Sequence, residues 1–403
     1  IDRPPTVLLA VIASTFFVGF GGGVVFPILP NLGEILGITP VVVGLILSAN
    51  RFTRIVANTP AGAIIDRVGA RTPLVVGMAI QSAATFGYVL AMGAENPAAW
   101  FVVARVGWGV GSAFVFATAF TIAADVSDGR SRGLNMGVIR GGLLMGFPAG
   151  LVLGGVVSDF YSVTAAFALA TAFAVVATVV AYAVVPETHV AEHRAGIKPW
   201  EVDRAPSTLV VGLVNFGLFF AFLGALLSTL VLFVDAKDLL VWGFGPQATS
   251  GVFMAVTMLA SSGFMLGGGR YSDLVGNRVP VLLVFIVVSF GGFALLAVAD
   301  SLPTLLAACV LIGAGQGGTS GPLMALLADL TPAERMGRAT ATNNLLGDLG
   351  AGIGPLLSLP LIDVVGFQPV YAASAVVPLL AGAVLMVGLY RQTGSVIPAT
   401  GGD

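Results

Sequence analysis

The sequence predicts an all-α membrane protein, with twelve transmembrane helices forming two six-helix halves related by pseudo-twofold symmetry. Three observations lead to this fold class. The chain is 57% hydrophobic and 9% charged, with a mean hydropathy of +0.99, whereas soluble domains carry about 25% charged residues. Twelve stretches reach the roughly 20 apolar residues that a spanning helix needs. Several features of the first half recur about two hundred residues later.

The predicted helices are separated by short polar turns, and one interruption is longer than the others. Residues 186–206 form the longest polar stretch of the chain. We interpret them as a linker between two halves, 1–185 and 207–403. The predicted spans are 6–30, 41–65, 72–93, 98–124, 133–157, 161–185, 207–233, 246–268, 279–299, 302–328, 337–361 and 367–390.

Charge placement predicts the orientation of the chain and limits its partners. Thirteen Lys and Arg residues fall on one side of the predicted bilayer and only Lys237 falls on the other. The positive-inside rule therefore places both termini and the linker in the cytoplasm of a multi-pass cell-membrane protein. A net charge of −2 without a basic run argues against a nucleic-acid partner, and the single Cys309 excludes a disulfide within the chain.

Two short loops share one pattern, G-x-x-x-D-x-x-G-x-R. The first loop motif runs over 62–71 and the second over 269–278. Charges this dense are costly inside a bilayer, so we expect both loops at its face. We predict a gating role for the residues of this pattern, for an adjacent arginine and for an acid one hairpin later. They are Gly62, Asp66, Arg67, Gly69, Arg71, Asp125, Asp273, Gly276 and Arg278.

The paired loop motifs, after the second and eighth predicted helices, resemble the signature of the major facilitator superfamily. An offset of about 204 also places Gly109 over Gly313 and Asp125 over Asp329. Parallel six-helix repeats of this kind place a substrate site near the midplane, between the halves. The resemblance implies alternating access by a monomer, with Asp66 latching the outward-open state at the start of the eleventh helix, near Asp125.

Glycines in the fifth predicted helix point to one branch of this superfamily. Gly142, Gly146, Gly150 and Gly154 recur every four residues and form a smooth stripe for close helix packing. Three of them, Gly142, Gly146 and Gly154, together with Gly155 resemble the fifth-helix motif of the drug:proton antiporters. Phe147 separates Gly146 from Pro148, which departs from the Gly-Pro of that motif. In the eleventh helix, Gly350, Gly352, Gly354 and Pro355 form a comparable flexible or close-packed element.

Four arginines lie inside predicted spans. Arg51 and Arg54 share one face of the second helix with Asn58, near the midplane. Arg105 sits in R-V-G-W-G-V-G, which resembles the superfamily's R-x-x-Q-G-x-G, and Arg140 lies in the fifth helix. An intramembrane arginine should face a cavity or a partner. Two interpretations stay open, namely packing against helix carbonyls and binding of an anionic substrate group.

The predicted spans of the second half carry almost no positive charge. Asp348 is its one clearly internal acid, and the other polar candidates for the site are Asn215, Gln316, Asn343 and Asn344. One carboxylate cannot neutralise four arginines, so we expect a small organic solute that is anionic or carries an anionic group. The alternative is a proton-coupled multidrug efflux antiporter for amphipathic compounds, with Asp348 as the coupling acid and protons as the coupling ion.

Neither interpretation involves catalysis or a cofactor. The two histidines fall in the linker, and the sequence has no metal-ligand cluster, phosphate loop or nucleophile triad. The loops are too short for a signalling domain. We therefore expect a transporter and not an enzyme, with the small-molecule substrate and the lipid bilayer as its partners.

Overall fold

The fold is described from a computed structural model. It describes residues 4–125, 132–185, 187 and 202–395, and for 4–11, 66, 120, 123–125, 132–141, 143–144 and 393 it describes the backbone only. Every regular element in these ranges is helical. Eleven helices there are long and apolar enough to cross a membrane, and residues 145–160 of a further helix form a shorter apolar stretch.

The helices follow the predicted order along the chain. They are α1 (Pro4–Val25), α2 (Leu32–Leu36), α3 (Pro40–Val68), α4 (Arg71–Ala91), α5 (Pro97–Asp125), α6 (Arg132–Phe160), α7 (Val163–Val184), α8 (Pro206–Phe219), α9 (Leu230–Ala236), α10 (Pro246–Val275), α11 (Arg278–Ala297), α12 (Leu302–Asp329), α13 (Met336–Val365) and α14 (Phe367–Thr393). Short 3-10 turns at Leu29–Asn31 and Ala333–Arg335 complete the set.

By their contacts the residues form two compact units. The first unit comprises Ile1–Pro199 with Trp242–Ala255, and the second comprises Trp200–Val241 with Val256–Asp403. The start of α10 thus groups with the first unit, a feature that the sequence does not indicate. The arrangement of twelve spans in two repeated halves stays a prediction.

Aromatic side chains fill part of the core of each unit. In the first unit, the rings of Tyr88, Phe101 and Phe167 lie 5.5–5.8 Å apart. In the second unit, Phe233 packs edge-on against Tyr371 at 5.3 Å. Ring pairs at this separation add to the free energy gained from area burial.

The glycine stripe of α6 packs directly on α1. A Cβ built on Gly142 would lie 2.8 Å from the carbonyl oxygen of Ile12. Cβ atoms on the next three glycines would overlap carbonyl oxygens one turn further along α1 each time, at Phe16, Phe20 and Val24. Since real side chains do not approach so closely, the four-residue spacing is needed for this contact. The predicted close packing is confirmed for this helix pair.

Two predicted spans are interrupted. The first was predicted to continue to residue 30, but α1 ends at Val25, because Pro27 lacks an amide proton and disfavours helix in the residue before it. The span predicted over 207–233 is also not one α-helix. A π-helical segment, Phe220–Leu227, lies between α8 and α9.

Hydroxyl groups satisfy the wider turns of the π segment. Ser228 and Thr229 donate to the carbonyl oxygens of Gly224 and Ala225. Gly224 also meets the backbone of Gly354 on α13, where neither residue has room for a Cβ. The glycines of the eleventh predicted span therefore form a close-packed contact at this point, which is one of the two roles predicted for them.

Candidate functional site

The first loop motif is capped by a residue from beyond α7. Glu187 Oε1 accepts hydrogen bonds from the backbone N of Ala70 at 2.8 Å and of Arg71 at 3.3 Å. These amides begin α4, and a helix start leaves its first amide groups without helical partners. A carboxylate there is further stabilised by the helix dipole. The acid was predicted to lie in the linker, whereas its carboxylate forms part of this loop.

Arginine 71 fixes the same corner. Its guanidinium donates to the carbonyl oxygen of Tyr182 at 2.8 Å and lies 5.6 Å from the centre of the Tyr182 ring. Gly69 has a φ of +87°, and a Cβ there would lie 2.5 Å from the Glu187 carboxyl carbon. Two features therefore favour glycine at position 69. Its backbone conformation is strained for other residues, and the Glu187 carboxylate leaves no space for a Cβ.

The second loop motif closes through acids of its own unit. Arg278 contacts Asp273 at 2.5 Å, Asp329 at 3.3 Å and the Ser272 hydroxyl at 3.2 Å. Asp329 is the residue that the repeat places opposite Asp125. Both acids are well exposed, at 70% and 42% of their side-chain surface, so solvent screens these pairs.

Several predicted residues lie outside the described side chains. Asp66, Asp125 and Arg140 are on described helices, but their side chains are not part of the description. Arg67 is exposed next to Asp66, and Gly62 has no atom within 4 Å of an added Cβ. The gating roles predicted for Gly62, Asp66, Arg67 and Asp125 stay predictions, as does the substrate-binding role predicted for Arg140.

Arginines 51 and 54 lie deep along α3. Within the apolar span Pro40–Ile65, Arg54 comes fourteen residues after the first residue and eleven before the last. At 1.5 Å per residue, it is about 16 Å from the nearer end of the span. Both arginines are partly buried, and the guanidinium of Arg54 lies over the Phe116 ring of α5 at 5.6 Å. Asn58, one turn further on, is exposed.

Arginine 105 is fixed by the backbone of α3. Its side chain is 5% exposed and donates to the carbonyl oxygens of Ile46 at 3.1 Å and Leu47 at 3.2 Å. It also lies 5.7 Å from the centre of the Trp108 ring. These partners are neutral, so they satisfy its hydrogen bonds and leave its charge uncancelled. The geometry is what the packing interpretation of this residue predicts, while a role toward substrate stays a prediction.

The polar residues of the second unit divide between two faces of α13. Asn343 is buried, its carbonyl oxygen accepts from the Asn215 amide at 3.0 Å, and its own amide contacts Met324. Asn344 is exposed and shares the other face with Asp348, which is 8% exposed. Gln316, on α12, is also buried. The structure therefore ties Asn343 into helix packing with α8 and separates it from Asp348.

A small cavity lies inside the first unit, among α1, α4, α5 and α7. It measures about 10 Å³, as space open to the centre of a water molecule, which suits about one water. Gln81, only 3% exposed, lines it, and its side-chain nitrogen has no hydrogen-bond partner. None of the predicted binding residues line this cavity. The sequence analysis did not single out Gln81, although an amide within an apolar span is a signal that could have found it.

The comparisons with known proteins agree on one protein family. The family model described as Major Facilitator Superfamily matches residues 11–355 and 244–401. An uncharacterized MFS-type transporter of Methanocaldococcus jannaschii is 23% identical over 94% of this chain and 97% of its own. Multidrug resistance protein 2 of Bacillus subtilis is 23% identical over 96% and 95%. The human organic anion transporter MFSD10 matches in structure, with a TM-score of 0.68 and 20% identity over 95% and 100%.

Proposed function

The chain belongs to the Major Facilitator Superfamily and is a transporter of the cell membrane, and we propose that its cargo is a small organic solute carrying an anionic group. It moves this cargo by alternating access, as a monomer with both termini in the cytoplasm. Drug:proton antiporters are the branch that it resembles, through the glycines of α6.

The depth of two arginines on one face of α3 carries the proposal. Arg51 and Arg54 each lie at least eleven residues from either end of an apolar span. A charge at this depth is costly unless it faces a cavity or a partner. The Arg54 guanidinium lies over the Phe116 ring, and the donors with which it recognises a carboxylate lie along the edge of its plane. An anionic group bound by these donors would therefore lie beside an aromatic surface.

A third arginine supports the same proposal. Arg105 lies on α5 and donates to main-chain carbonyls of α3, which are neutral groups. Positive side chains gathered between apolar walls concentrate anionic ligands.

A second candidate function is proton-coupled efflux of amphipathic compounds. The name of the Bacillus subtilis relative favours it, as does an acid on α13 that is 8% exposed within a spanning helix. Asp348→Asn separates the possibilities. If Asp348 couples protons, the variant loses proton-driven transport and retains solute exchange. Proton-driven transport that survives in this variant removes Asp348 from the role.

A ligand screen on the purified protein tests the primary proposal. The compounds are matched sets in which one apolar body carries a carboxylate, an amide or an amine. A ligand that binds only the folded protein stabilises it by about 2.7 kcal/mol at one hundred times its dissociation constant. We expect thermal shifts from the carboxylates and weaker or no shifts from the amides and amines. Shifts confined to the amines contradict the anion proposal and favour the multidrug candidate.

A further inference from the structure

The start of α10 is capped by a carboxylate from another helix. Asp159, at the end of α6, accepts a hydrogen bond from the backbone N of Ala248 at 2.7 Å. Helix α10 begins at Pro246, so Ala248 is its third residue and Gly245 holds the N-cap position. The N-cap side chain usually accepts from this amide. Gly245 has no side chain to accept this hydrogen bond, and the carboxylate of Asp159, which is 89 residues away in the sequence, accepts it instead.

Close backbone contact surrounds this cap. A Cβ on Gly245 would lie 2.7 Å from the Asp159 carboxyl carbon. A Cβ on Gly155 would overlap the carbonyl oxygen of Gln247, and one on Gly251 would overlap that of Leu151. We call this contact, residues 151–160 of α6 with 244–251, the α6–α10 seam. It has no room for an added methyl group at any of the three glycines.

Helix α10 is divided between the two compact units. Its residues up to Ala255 group with the first unit and those from Val256 onward with the second. A helix divided in this way cannot keep all its contacts when the units move against each other, as alternating access requires. Both sides of the α6–α10 seam group with the first unit. Because α10 is one continuous helix from Pro246 to Val275, it either bends near Val256 or moves as a whole with the second unit. Movement as a whole parts α10 from α6 and breaks the seam together with its cap.

We propose that Asp159 is a positioning residue of the transport cycle, which holds the first turns of α10 against α6 in one conformation and releases them in the other. The proposal rests on alternating access and does not depend on the charge of the cargo. A cap made by α10 itself would stay intact when the helices part. Because the cap comes from α6, it stabilises only the conformations in which the seam is closed.

Distance measurements between spin labels test this proposal without a ligand. The labels replace Tyr161 and Trp242, which are both 80% exposed and flank the seam, in a Cys309→Ser background. Asp159→Ala should raise the ratio of parted to closed populations about five- to tenfold, which is the effect of losing a typical cap. Asp159→Asn, which keeps an acceptor without the charge, should give an intermediate ratio. Asp300→Ala, at an exposed acid between α11 and α12, should leave the ratio unchanged.

A double variant separates a positioning role from simple helix capping. In Asp159→Ala with Gly245→Ser, the new serine can cap α10 from its own chain, and the carboxylate that crowds Gly245 is gone. We expect thermal stability to recover while the parted population stays high. A short distance restored by the serine shows that Asp159 only caps a helix. Unchanged distances in Asp159→Ala also overturn the proposal.

Discussion

The two loop motifs share one sequence pattern, but the described partners of their arginines differ. In the second loop motif, Arg278 contacts two carboxylates, Asp273 and Asp329. In the first, the corresponding Arg71 donates to the Tyr182 carbonyl and lies over its ring. A carboxylate is present there too, but Glu187 binds the start of α4 through backbone amides.

The contacts of Glu187 and Tyr182 show that a repeated motif fixes the shape of a turn without fixing every partner of the loop. Both loops use glycine at positive φ, at Gly69 and Gly276, to turn from one helix into the next. The first loop is joined to a residue that follows α7, so it connects to the segment leading out of the unit. The second closes within the hairpins of its own unit. A functional difference between the two loops is therefore expected despite their common pattern.

The largest expected effect is on transport, and it should distinguish Asp66 of the first loop motif from Asp273 of the second. We expect Asp66→Asn to slow transport about ten- to a hundredfold, the range of typical conformational coupling, while affinity in the accessible state stays near wild type. Asp273→Asn should have a much smaller effect, because Asp273 is 70% exposed and Arg278 keeps Asp329. Transport rates and ligand affinities of both variants check this. An equal loss of binding in folded Asp66→Asn contradicts a gating role.

Alanine substitutions at Gly69 and Gly276, the two glycines with positive φ, compare the two loops by their effect on thermal stability. Alanine at either position is strained by about 1–3 kcal/mol, and the φ of +87° and ψ of 179° at Gly69 are essentially limited to glycine. At Gly69 the new methyl group would also meet Glu187, whereas at Gly276 no described atom lies within 4 Å of it. Gly69→Ala should therefore lower the unfolding temperature more than Gly276→Ala does. Equal shifts would contradict both the backbone strain at Gly69 and its contact with Glu187.

Removal of the carboxylate that caps α4 has a moderate expected effect. Glu187→Ala leaves two amides of the first turn without this partner, and loss of a cap costs about 1 kcal/mol. Glu95→Ala, at an exposed acid between α4 and α5, is the matched control. Thermal unfolding of the two variants should differ accordingly. If they unfold alike, the cap does not contribute to stability.

The smallest expected effect concerns the exposed ion pairs of the second loop. Asp329→Asn should lower the unfolding free energy by less than about 1 kcal/mol, because Asp329 is 42% exposed. The difference from wild type should shrink as salt is raised from 0.05 to about 1 M, where charges are screened within roughly 3 Å. A large loss that does not depend on salt would contradict a screened surface pair.

Contacts encoded by local spacing were predictable from the sequence, and contacts between distant residues were not. The stripe from Gly142 to Gly154 places one glycine per turn, so a single helix predicts the contact face that α1 fills. Glu187 gave no such signal, because its partners lie 116 and 117 residues earlier. The Asp159 cap of Ala248 escaped prediction for the same reason.

Some local features also escaped prediction. The π segment Phe220–Leu227 lies in an unbroken apolar run, where hydropathy cannot separate an α-helix from a wider one. Neighbouring residues Asn343 and Asn344 look equivalent in sequence, but about 100° of helical rotation makes one buried and the other exposed. By contrast, the depth of Arg51 and Arg54 followed from their distance to both helix ends.

The affinity of an anionic ligand for Arg54→Lys tests the central claim most directly. Lysine keeps the charge but loses the planar pair of donors. Losing a charge-assisted contact costs about 1.5–3 kcal/mol, or roughly ten- to a hundredfold in affinity. Arg391→Lys, at an exposed position on α14, is the control. Calorimetry should show a lower affinity for a carboxylate ligand in Arg54→Lys and an unchanged affinity in Arg391→Lys. An unchanged affinity in Arg54→Lys, together with lower thermal stability, would mean that Arg54 serves packing.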